Sequence, residues 1–166
     1  MAINVRPEDY RTKMQRVYRE ARLSTDRVTK NGAILCQEGW NVVSGCNHHV
    51  NGFGVSDEDH ARPFKYDVTE HAERDVILKA CRWGVKTEGL TLVANWVACP
   101  DCARAIVLAG IADVVCHGEC MDRTPERWRE KVALGLDILK HSGVNLIVWR
   151  GSTGIKNLNN GEVWLT

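Results

Sequence analysis

Residues 90–108 have the sequence LTLVANWVACPDCARAIVL, in which a short apolar segment runs into a turn that carries two cysteines. Leu90–Trp96 is short and mostly apolar, which is typical of a buried strand. Pro100 stands at the first turn of a predicted helix, where the backbone N–H that proline lacks would have no partner. We expect this helix to continue to about Leu108, so that the stretch forms a strand, a turn and a helix.

The same alternation of strands and helices continues on both sides of this stretch. The first two strands are expected to form a hairpin. Residues 44–63 are predicted to form a long polar loop, and a loop of that length inside a compact domain is usually functional or disordered. Such alternation predicts a layered α/β domain with some parallel strand pairs. The further predicted helices are Pro7–Leu23, Thr69–Trp83 and Pro125–His141, and the further predicted strands are Gly32–Cys36, Trp40–Val43, Ile111–Cys116 and Val144–Trp149.

Length and composition favour a single globular domain over residues 1–166. The net charge is only +1, whereas a dedicated nucleic-acid binder usually has a basic excess, so the composition disfavours nucleic acid as a partner. No apolar run is long enough to span a membrane, and the first residues lack a secretory leader, which predicts a cytoplasmic protein. The odd number of cysteines, seven, argues against a disulfide framework and favours metal binding, catalysis or core packing.

Two short motifs, His71-Ala72-Glu73 and Cys99-Pro100-Asp101-Cys102, each stand at the predicted start of a helix. Two cysteines with this spacing at a helix N-terminus can direct both sulfur atoms at one metal ion, and the helix end favours their thiolate form. One histidine from a second helix completes three protein ligands, which leave a fourth position open as in catalytic zinc sites. Glu73 is rotated away from the ligand direction and is predicted to act as a proton shuttle beside the zinc.

Each motif is weak by itself, since a strand followed by C-x-x-C at a helix start also describes a thiol oxidoreductase. Their joint occurrence in this order resembles the H-x-E and P-C-x-x-C signature of zinc-dependent nucleobase deaminases. This chain departs from the signature at Ala98, where the pattern has proline. Two further clusters leave a second, structural zinc open, with ordinary core and surface positions as the alternative. These clusters are Cys46, His48 and His49, and Cys116, His117 and Cys120.

Longer segments around the motifs resemble the cytidine/deoxycytidylate deaminase family, and deoxycytidylate (dCMP) deaminases most of all. The resemblance implies a three-layer α/β/α sandwich around a central mixed sheet of about five strands. It also implies a zinc enzyme that hydrolytically removes the 4-amino group of a cytosine nucleotide, and a homo-oligomer, commonly a hexamer. The segments that carry the resemblance are Ser24–Asp26, Thr29–Leu35, Gly39–Asn41, Arg62–Tyr66, Glu70–Arg74, Cys102–Ile106 and Ala109–Ile111.

The resemblance further implies how the substrate is held. Asn41 would hydrogen-bond the sugar, and Trp96 would line the pocket. The backbone N–H of Ala72 and the carbonyl near Val97 would hold the edge of the base. The candidates near the phosphate are Arg62, Lys65 and Tyr66.

Val68 departs from the family pattern, because close relatives carry an aromatic residue three positions before the zinc histidine. A smaller side chain would change the pocket, so we hypothesise that the substrate is a 5-substituted or differently phosphorylated cytosine nucleotide. Two alternatives are a deaminase that acts on a base within RNA or DNA, such as a tRNA adenosine deaminase, and a zinc-stabilised domain without activity. Trp128 and Arg127, in the late amphipathic helix, are interpreted as a packing residue and a solvated residue.

Overall fold

The computed structural model describes residues 7–37 and 40–166 of the chain. A single 3-10 turn among the described residues covers Glu58–His60. The helices are α1 (Pro7–Ala21), α2 (Lys65–Val68), α3 (Ala72–Trp83), α4 (Pro100–Leu108), α5 (Gly118–Asp122) and α6 (Glu126–His141). The strands are β1 (Gly32–Gln37), β2 (Trp40–Cys46), β3 (His48–His49), β4 (Thr69–Glu70), β5 (Thr91–Ala94), β6 (Asp113–His117), β7 (Asn145–Trp149), β8 (Lys156–Asn159) and β9 (Glu162–Leu165).

Five strands form the central sheet in the order β2-β1-β5-β6-β7. Strand β1 is antiparallel to both β2 and β5, whereas β5, β6 and β7 run parallel to one another. Parallel neighbours need crossover connections, and α4 and α6 supply them here. The mixed sheet that the family resemblance implied is therefore confirmed.

Alternating side chains along β1 separate two hydrophobic cores. Ala33 and Leu35 face the core that is shared with α3, α4 and α6. Ile34 and Cys36 face the core that is shared with α1. Because successive strand residues point to opposite faces, one strand serves both cores. Helices thus cover both faces of the sheet, and the predicted three-layer α/β/α sandwich is confirmed.

The third helix begins at Ala72, later than predicted, because Thr69–Glu70 forms a strand that pairs with His48–His49. This short ladder gives regular structure to part of the predicted loop. Strand β2 also continues to Cys46, beyond the predicted end at Val43. Strands β1 and β2 pair as predicted, while Glu38 and Gly39 of the predicted hairpin turn lie outside the described residues.

The segment after β7 forms an antiparallel hairpin of β8 and β9. Asn160 and Gly161 connect these strands with positive φ angles of 52° and 85°. A type I′ turn requires positive φ at both central residues, and Asn-Gly is its favoured sequence. The hairpin is attached beside β1, since the backbone N–H of Lys30 donates to the carbonyl of Leu158 at 2.9 Å.

Within residues 7–37 and 40–166, no helix combines the length and the apolar character that a membrane crossing requires.

Candidate active site

His71, Cys99 and Cys102 come together although two different helices supply them. His71 is the N-cap residue of α3, and Cys99 is the N-cap residue of α4. The Nδ1 atom of His71 lies 3.5 Å from the Sγ of Cys99 and 3.4 Å from the Sγ of Cys102. The two sulfur atoms are 3.6 Å apart. The three predicted ligand atoms therefore form a compact triangle at the N-terminal ends of two helices.

This triangle has the donor set and the size that a zinc ion requires. Zn–S bonds of about 2.3 Å and Zn–N bonds of about 2.0 Å place the ligands of a tetrahedral site roughly 3.5–3.8 Å apart. The separations of 3.4–3.6 Å in the triangle agree with that spacing. In the described part of the chain, no other group of three His, Cys, Asp or Glu side chains converges in this way.

The environment of Cys99 favours its thiolate form. Its hydrogen bond with Cys102, together with the neighbouring His71, lowers the pKa of Cys99 to about 4 in spite of its burial. The N-terminus of α4 acts in the same direction, because the helix dipole stabilises a negative charge there. Thiolate is the form of cysteine that coordinates metal, so this environment favours the metal-binding state of Cys99.

Glu73 lies in the first turn of α3 and is only 7% exposed. Its Oε2 atom is 3.7 Å from the Sγ of Cys102, beside the triangle and outside the group of converging ligand atoms. Burial raises the pKa of the Glu73 carboxyl above its usual value. A raised pKa brings the carboxyl closer to the operating pH, which is what a group that takes up and releases protons requires.

A pocket opens over the triangle, with His71, Glu73 and Cys99 among the residues that line it. Lys65 contributes to its wall, but its ammonium is almost completely buried and lies 2.7 Å from the carboxylate of Asp26. Five of the residues that the sequence nominated for substrate binding line this pocket: Arg62, Lys65, Tyr66, Trp96 and Val97.

Asn41 is not among the residues that line the pocket, and its predicted contact with the sugar stays a prediction. It pairs with Cys36 at the far end of the β1–β2 ladder, whereas the pocket lies near the end where Gly32 pairs with Cys46. Asn47 lines the pocket instead. The spacing Gly-x-Asn occurs twice in this region, at residues 39–41 and 45–47, and the sequence interpretation selected the first occurrence.

Val68 and Ala72 are buried and are not among the residues that line the pocket. Thr69 occupies the wall next to Val68, so the structure gives no support to a direct contact between the Val68 side chain and substrate. The methyl group of Ala72 packs in the core between sheet and helices. The role predicted for Ala72 concerns its backbone N–H, at the start of α3, and stays a prediction.

Two pocket residues were assigned other roles from the sequence. Trp128, interpreted as a packing residue, lines the pocket with its ring centroid 5.4 Å from that of Tyr66, 6.0 Å from that of Trp96 and 6.1 Å from that of His71. Arg127, interpreted as solvated, also lines the pocket. These aromatic rings form a wall of the kind on which a flat base can stack.

The two other cysteine and histidine clusters are held by hydrogen bonds within the protein. His49 contacts the hydroxyl of Thr25 and the carbonyl of Asp59. His117 lies 2.6 Å from the Tyr18 hydroxyl and 2.9 Å from the Gly151 carbonyl, which a neutral ring satisfies with one acceptor and one donor nitrogen. Neither cluster forms a converging group of three ligand atoms among the described residues.

The family described as cytidine and deoxycytidylate deaminase zinc-binding region matches this chain over residues 7–118. The chain belongs to this deaminase family. Zinc is the cofactor that the family description names, and the triangle of His71, Cys99 and Cys102 fits it. The deaminase is also 32% identical over 126 residues to an uncharacterized deaminase of Aliivibrio fischeri, and the match covers 76% of this chain and 82% of that protein.

Two phage proteins resemble this deaminase, one in sequence and one in fold. It is 37% identical over 135 residues to the deoxycytidylate deaminase of Enterobacteria phage T2, with 69% of this chain and 68% of the phage protein covered. The crystal structure of the dCMP deaminase of cyanophage S-TIM5 in complex with dCMP and dUMP superposes with a TM-score of 0.69 at 23% identity. That superposition covers 89% of this chain and 100% of the phage chain, and it shows that the two share a fold.

Proposed function

We propose that this deaminase hydrolytically removes the 4-amino group of a cytosine deoxynucleotide, with dCMP as the substrate and dUMP and ammonia as the products. One observation carries the proposal: a His71/Cys99/Cys102 triangle with edges of 3.4–3.6 Å lies in a pocket with a buried carboxyl, Glu73, beside it. The deoxycytidylate deaminases among the relatives support the choice of base and sugar.

His71, Cys99 and Cys102 would hold the zinc, which supplies a Lewis acid that makes water acidic enough to lose a proton near neutral pH. Glu73 is the general base and acid of the reaction. Its carboxylate takes a proton from water and passes it to N3 of the base while the hydroxide oxygen forms a bond to C4. It then takes the remaining hydroxyl proton and gives it to the amino group, so that ammonia leaves as the C4–N bond breaks and the C4 carbonyl forms. Because Glu73 is buried, bulk water does not compete with the substrate for this carboxyl.

The residues of the pocket wall suit a base at the bottom of the pocket, with the sugar and phosphate of the nucleotide at its mouth. Trp96, Trp128 and Tyr66 provide aromatic surfaces near His71, against which the pyrimidine would stack. The Nε1 of Trp96 donates to the Thr124 hydroxyl at 2.9 Å, which holds that ring in place. The backbone carbonyl of Val97 would accept from the 4-amino group.

The substituent at C5 of the base is the open question of specificity. Valine at position 68, where close relatives carry an aromatic residue, motivated the hypothesis of a 5-substituted substrate. Because Val68 lies behind Thr69 rather than on the wall, its smaller volume would act only through the packing of that wall. An assay of ammonia release from dCMP, 5-methyl-dCMP and 5-hydroxymethyl-dCMP tests this hypothesis. Preference for plain dCMP with rejection of the other two would end it.

The decisive experiment measures ammonia release and the ultraviolet change of the base with zinc-loaded protein on a panel of substrates. The panel contains dCMP, CMP, dCTP, deoxycytidine and a tRNA that carries a wobble adenosine. We expect turnover of dCMP with a kcat/KM at least tenfold above that of every other unsubstituted compound. Turnover of the tRNA alone would replace the proposal by a nucleic-acid deaminase, and absence of all turnover would replace it by a zinc-stabilised domain.

We also propose that the enzyme is cytoplasmic and self-associates. All seven cysteines are unpaired, which suits a reducing compartment. Trp83 and Leu108 are 60% and 86% exposed, and large apolar side chains at the surface are common where subunits meet. Sedimentation velocity on the zinc-loaded protein tests the assembly, and a monomer at all concentrations would refute it.

A further inference from the structure

Arg62 and Arg127 meet at the mouth of the pocket without a carboxylate partner among the described residues. The Nη2 of Arg127 donates to the Oδ1 of Asn160 at 2.7 Å, and its Nε donates to the Tyr66 hydroxyl at 3.3 Å. The Nη2 of Arg62 lies 3.5 Å from the same Asn160 oxygen. Six other arginines of the described residues have a carboxylate partner instead, as in the 2.7 Å contact between Arg129 and Glu126.

Asn160 owes its position to the turn between β8 and β9. Its φ of 52° and that of Gly161, 85°, fit the type I′ turn that Asn-Gly favours. The backbone N–H of Asn160 donates to the Thr29 hydroxyl at 3.1 Å, and that of Gly161 donates to the carbonyl of Val28 at 2.8 Å. The turn is therefore fastened to the pocket wall, and the amide oxygen of Asn160 has a fixed place between two guanidinium groups.

A neutral partner has a specific consequence for charge. A carboxylate at position 160 would offer two charged acceptors to the guanidinium groups and would balance one of their two charges. The amide of Asn160 orients the guanidinium groups and leaves both positive charges available. Arginine matches the oxygen atoms of a phosphate in a fixed, two-pronged geometry, which makes a pair of oriented arginines a good receptor for a phosphate dianion.

Neither Lys65 nor Tyr66, which also line the pocket, cancels the charge of this pair. Lys65 and Asp26 neutralise each other in a buried ion pair at 2.7 Å. The Tyr66 hydroxyl carries no charge, although its neighbours Arg127 and Arg62 lower its pKa against the effect of burial. The Arg62 and Arg127 side chains line the same pocket as His71 and Glu73, so a ligand that reaches both ends must carry its negative charge away from the reacting base.

We propose that Arg62 and Arg127 form the subsite for the phosphomonoester of the substrate, and that Asn160 is a positioning residue that orients both guanidinium groups without neutralising them. This inference rests on the proposed function, because it takes the reacting base to lie at the zinc end of the pocket. Arg127 and Asn160 lie beyond residue 118, where the match to the family ends. This part of the phosphate subsite therefore lies outside the segment that matches the family.

The sharpest test replaces Asn160 by aspartate, because Asp-Gly also suits a type I′ turn and the hairpin should form unchanged. In N160D we expect kcat/KM for dCMP to fall about tenfold or more. The kcat/KM for deoxycytidine should stay within about twofold of wild type, and the melting temperature should stay within about 2 °C. In R127Q the loss for dCMP should be larger, about a hundredfold, again with deoxycytidine little changed.

Two control variants separate this effect from general changes in charge. R129Q removes an arginine from the same helix at a position paired with Glu126. K156E replaces an exposed positive charge in β8 by a negative one. It therefore changes the charge of the β8–β9 hairpin more than N160D does. Both should leave the ratio of dCMP to deoxycytidine turnover unchanged. An equal loss for nucleotide and nucleoside in N160D and R127Q, or no loss for either, would overturn the subsite.

Binding of dUMP and deoxyuridine, measured by calorimetry, separates failure of the subsite from failure of the proposed function. If wild type deaminates no cytosine compound but binds dUMP in a manner that depends on Arg127 and Asn160, the function falls and the subsite stands. If wild type deaminates dCMP yet binds dUMP no more tightly than deoxyuridine, the function stands and the subsite falls.

Discussion

The ammonium of Lys65 lies 2.7 Å from the carboxylate of Asp26, and both residues are at most 5% exposed. The other oxygen of Asp26 accepts hydrogen bonds from the backbone N–H groups of Val28 and Thr29. Lys65 was predicted from the sequence to lie near the phosphate, and the structure gives its charge an internal partner. The ion pair joins the loop after α1 to α2, so it holds two walls of the pocket together.

We expect K65M to destabilise the protein by about 3–5 kcal/mol, because it leaves a buried carboxylate without its counter-ion. The double variant D26N/K65M should be less destabilised than K65M alone, since it removes both charges. Urea denaturation of the three proteins measures the difference. The exposed pair Arg27–Asp57 gives the control D57N, for which a change of at most about 1 kcal/mol is expected.

The same pair gives stability a defined dependence on pH. Burial opposes ionisation of Asp26, but Lys65 and the two backbone N–H groups together hold its pKa below the usual value. A lowered folded-state pKa contributes stability that is present above the unfolded value near 3.9 and is lost as pH falls through the folded value. Wild type should therefore lose more stability than D26N on acidification from about pH 5 to pH 2, and equal losses would contradict this.

Zinc content should depend on the three side chains of the triangle, His71, Cys99 and Cys102. We expect about one zinc per chain in wild type and less than a tenth of that in C102A, because two remaining ligands hold the ion poorly. C81A is the matched control, since Cys81 is an exposed free cysteine on α3, and it should retain the full zinc content. Two equivalents in wild type, measured by mass spectrometry of the metal, would instead support a second, structural zinc.

The variant E73Q separates metal binding from proton transfer. Glutamine keeps the size of the side chain but cannot take up a proton, so kcat for dCMP should fall by at least a factor of about a hundred. Zinc content should stay at the wild-type value, because Glu73 lies outside the group of converging ligand atoms. E88Q, at an exposed position, should leave both quantities unchanged. Loss of zinc in E73Q would assign Glu73 a structural role.

Gly135 lets α6 approach the turn that carries Cys99. A Cβ atom at position 135 would collide with the carbonyl oxygen of Ala98. Glycine to alanine within a helix normally stabilises it by about 1 kcal/mol, but here we expect G135A to lower the melting temperature and weaken zinc binding. L134A, at the neighbouring exposed position, is the control. A stabilised G135A with normal zinc affinity would show that the backbone contact is unimportant.

Trp128 should contribute to base binding. Stacking of a base on an aromatic ring is worth about 1–3 kcal/mol, so W128A should raise the Kd for dUMP about tenfold or more, and W128F should recover part of that loss. W83A removes a tryptophan that is 60% exposed at the end of α3 and should leave the Kd unchanged. An unchanged Kd in W128A would return Trp128 to the packing role that the sequence suggested.

The triangle was predictable because coordination chemistry restricts both the residue types and their spacing. His71, Cys99 and Cys102 stand at helix starts that a proline or a change of hydrophobic period marks in the sequence. The layered fold was predictable for a similar reason, since alternating strands and helices leave few arrangements. The boundaries were less certain where tertiary pairing decides them, as at Thr69–Glu70, which pairs with β3 instead of joining the helix.

The outer wall of the pocket was not predictable from local pattern. On an amphipathic helix, a polar residue that faces a pocket and one that faces solvent occupy equivalent positions, so Arg127 could not be distinguished from Arg129. Only its contacts with Tyr66 and Asn160 identify it. Asn-Gly is a recognisable signal of a hairpin turn. The Asn160-Gly161 pair could therefore have predicted the hairpin of β8 and β9 from the sequence.

The match to the family ends at residue 118, whereas Arg127, Trp128 and Asn159 line the pocket from beyond that point. The zinc ligands and Glu73 thus lie before residue 118, whereas part of the pocket wall lies after it. A library that randomises positions 127, 128, 159 and 160 would sample new substrate preferences while every ligand to the ion is retained. Natural substitutions near the C-terminal hairpin would likewise change which nucleotide the pocket accepts, without altering a ligand to the ion.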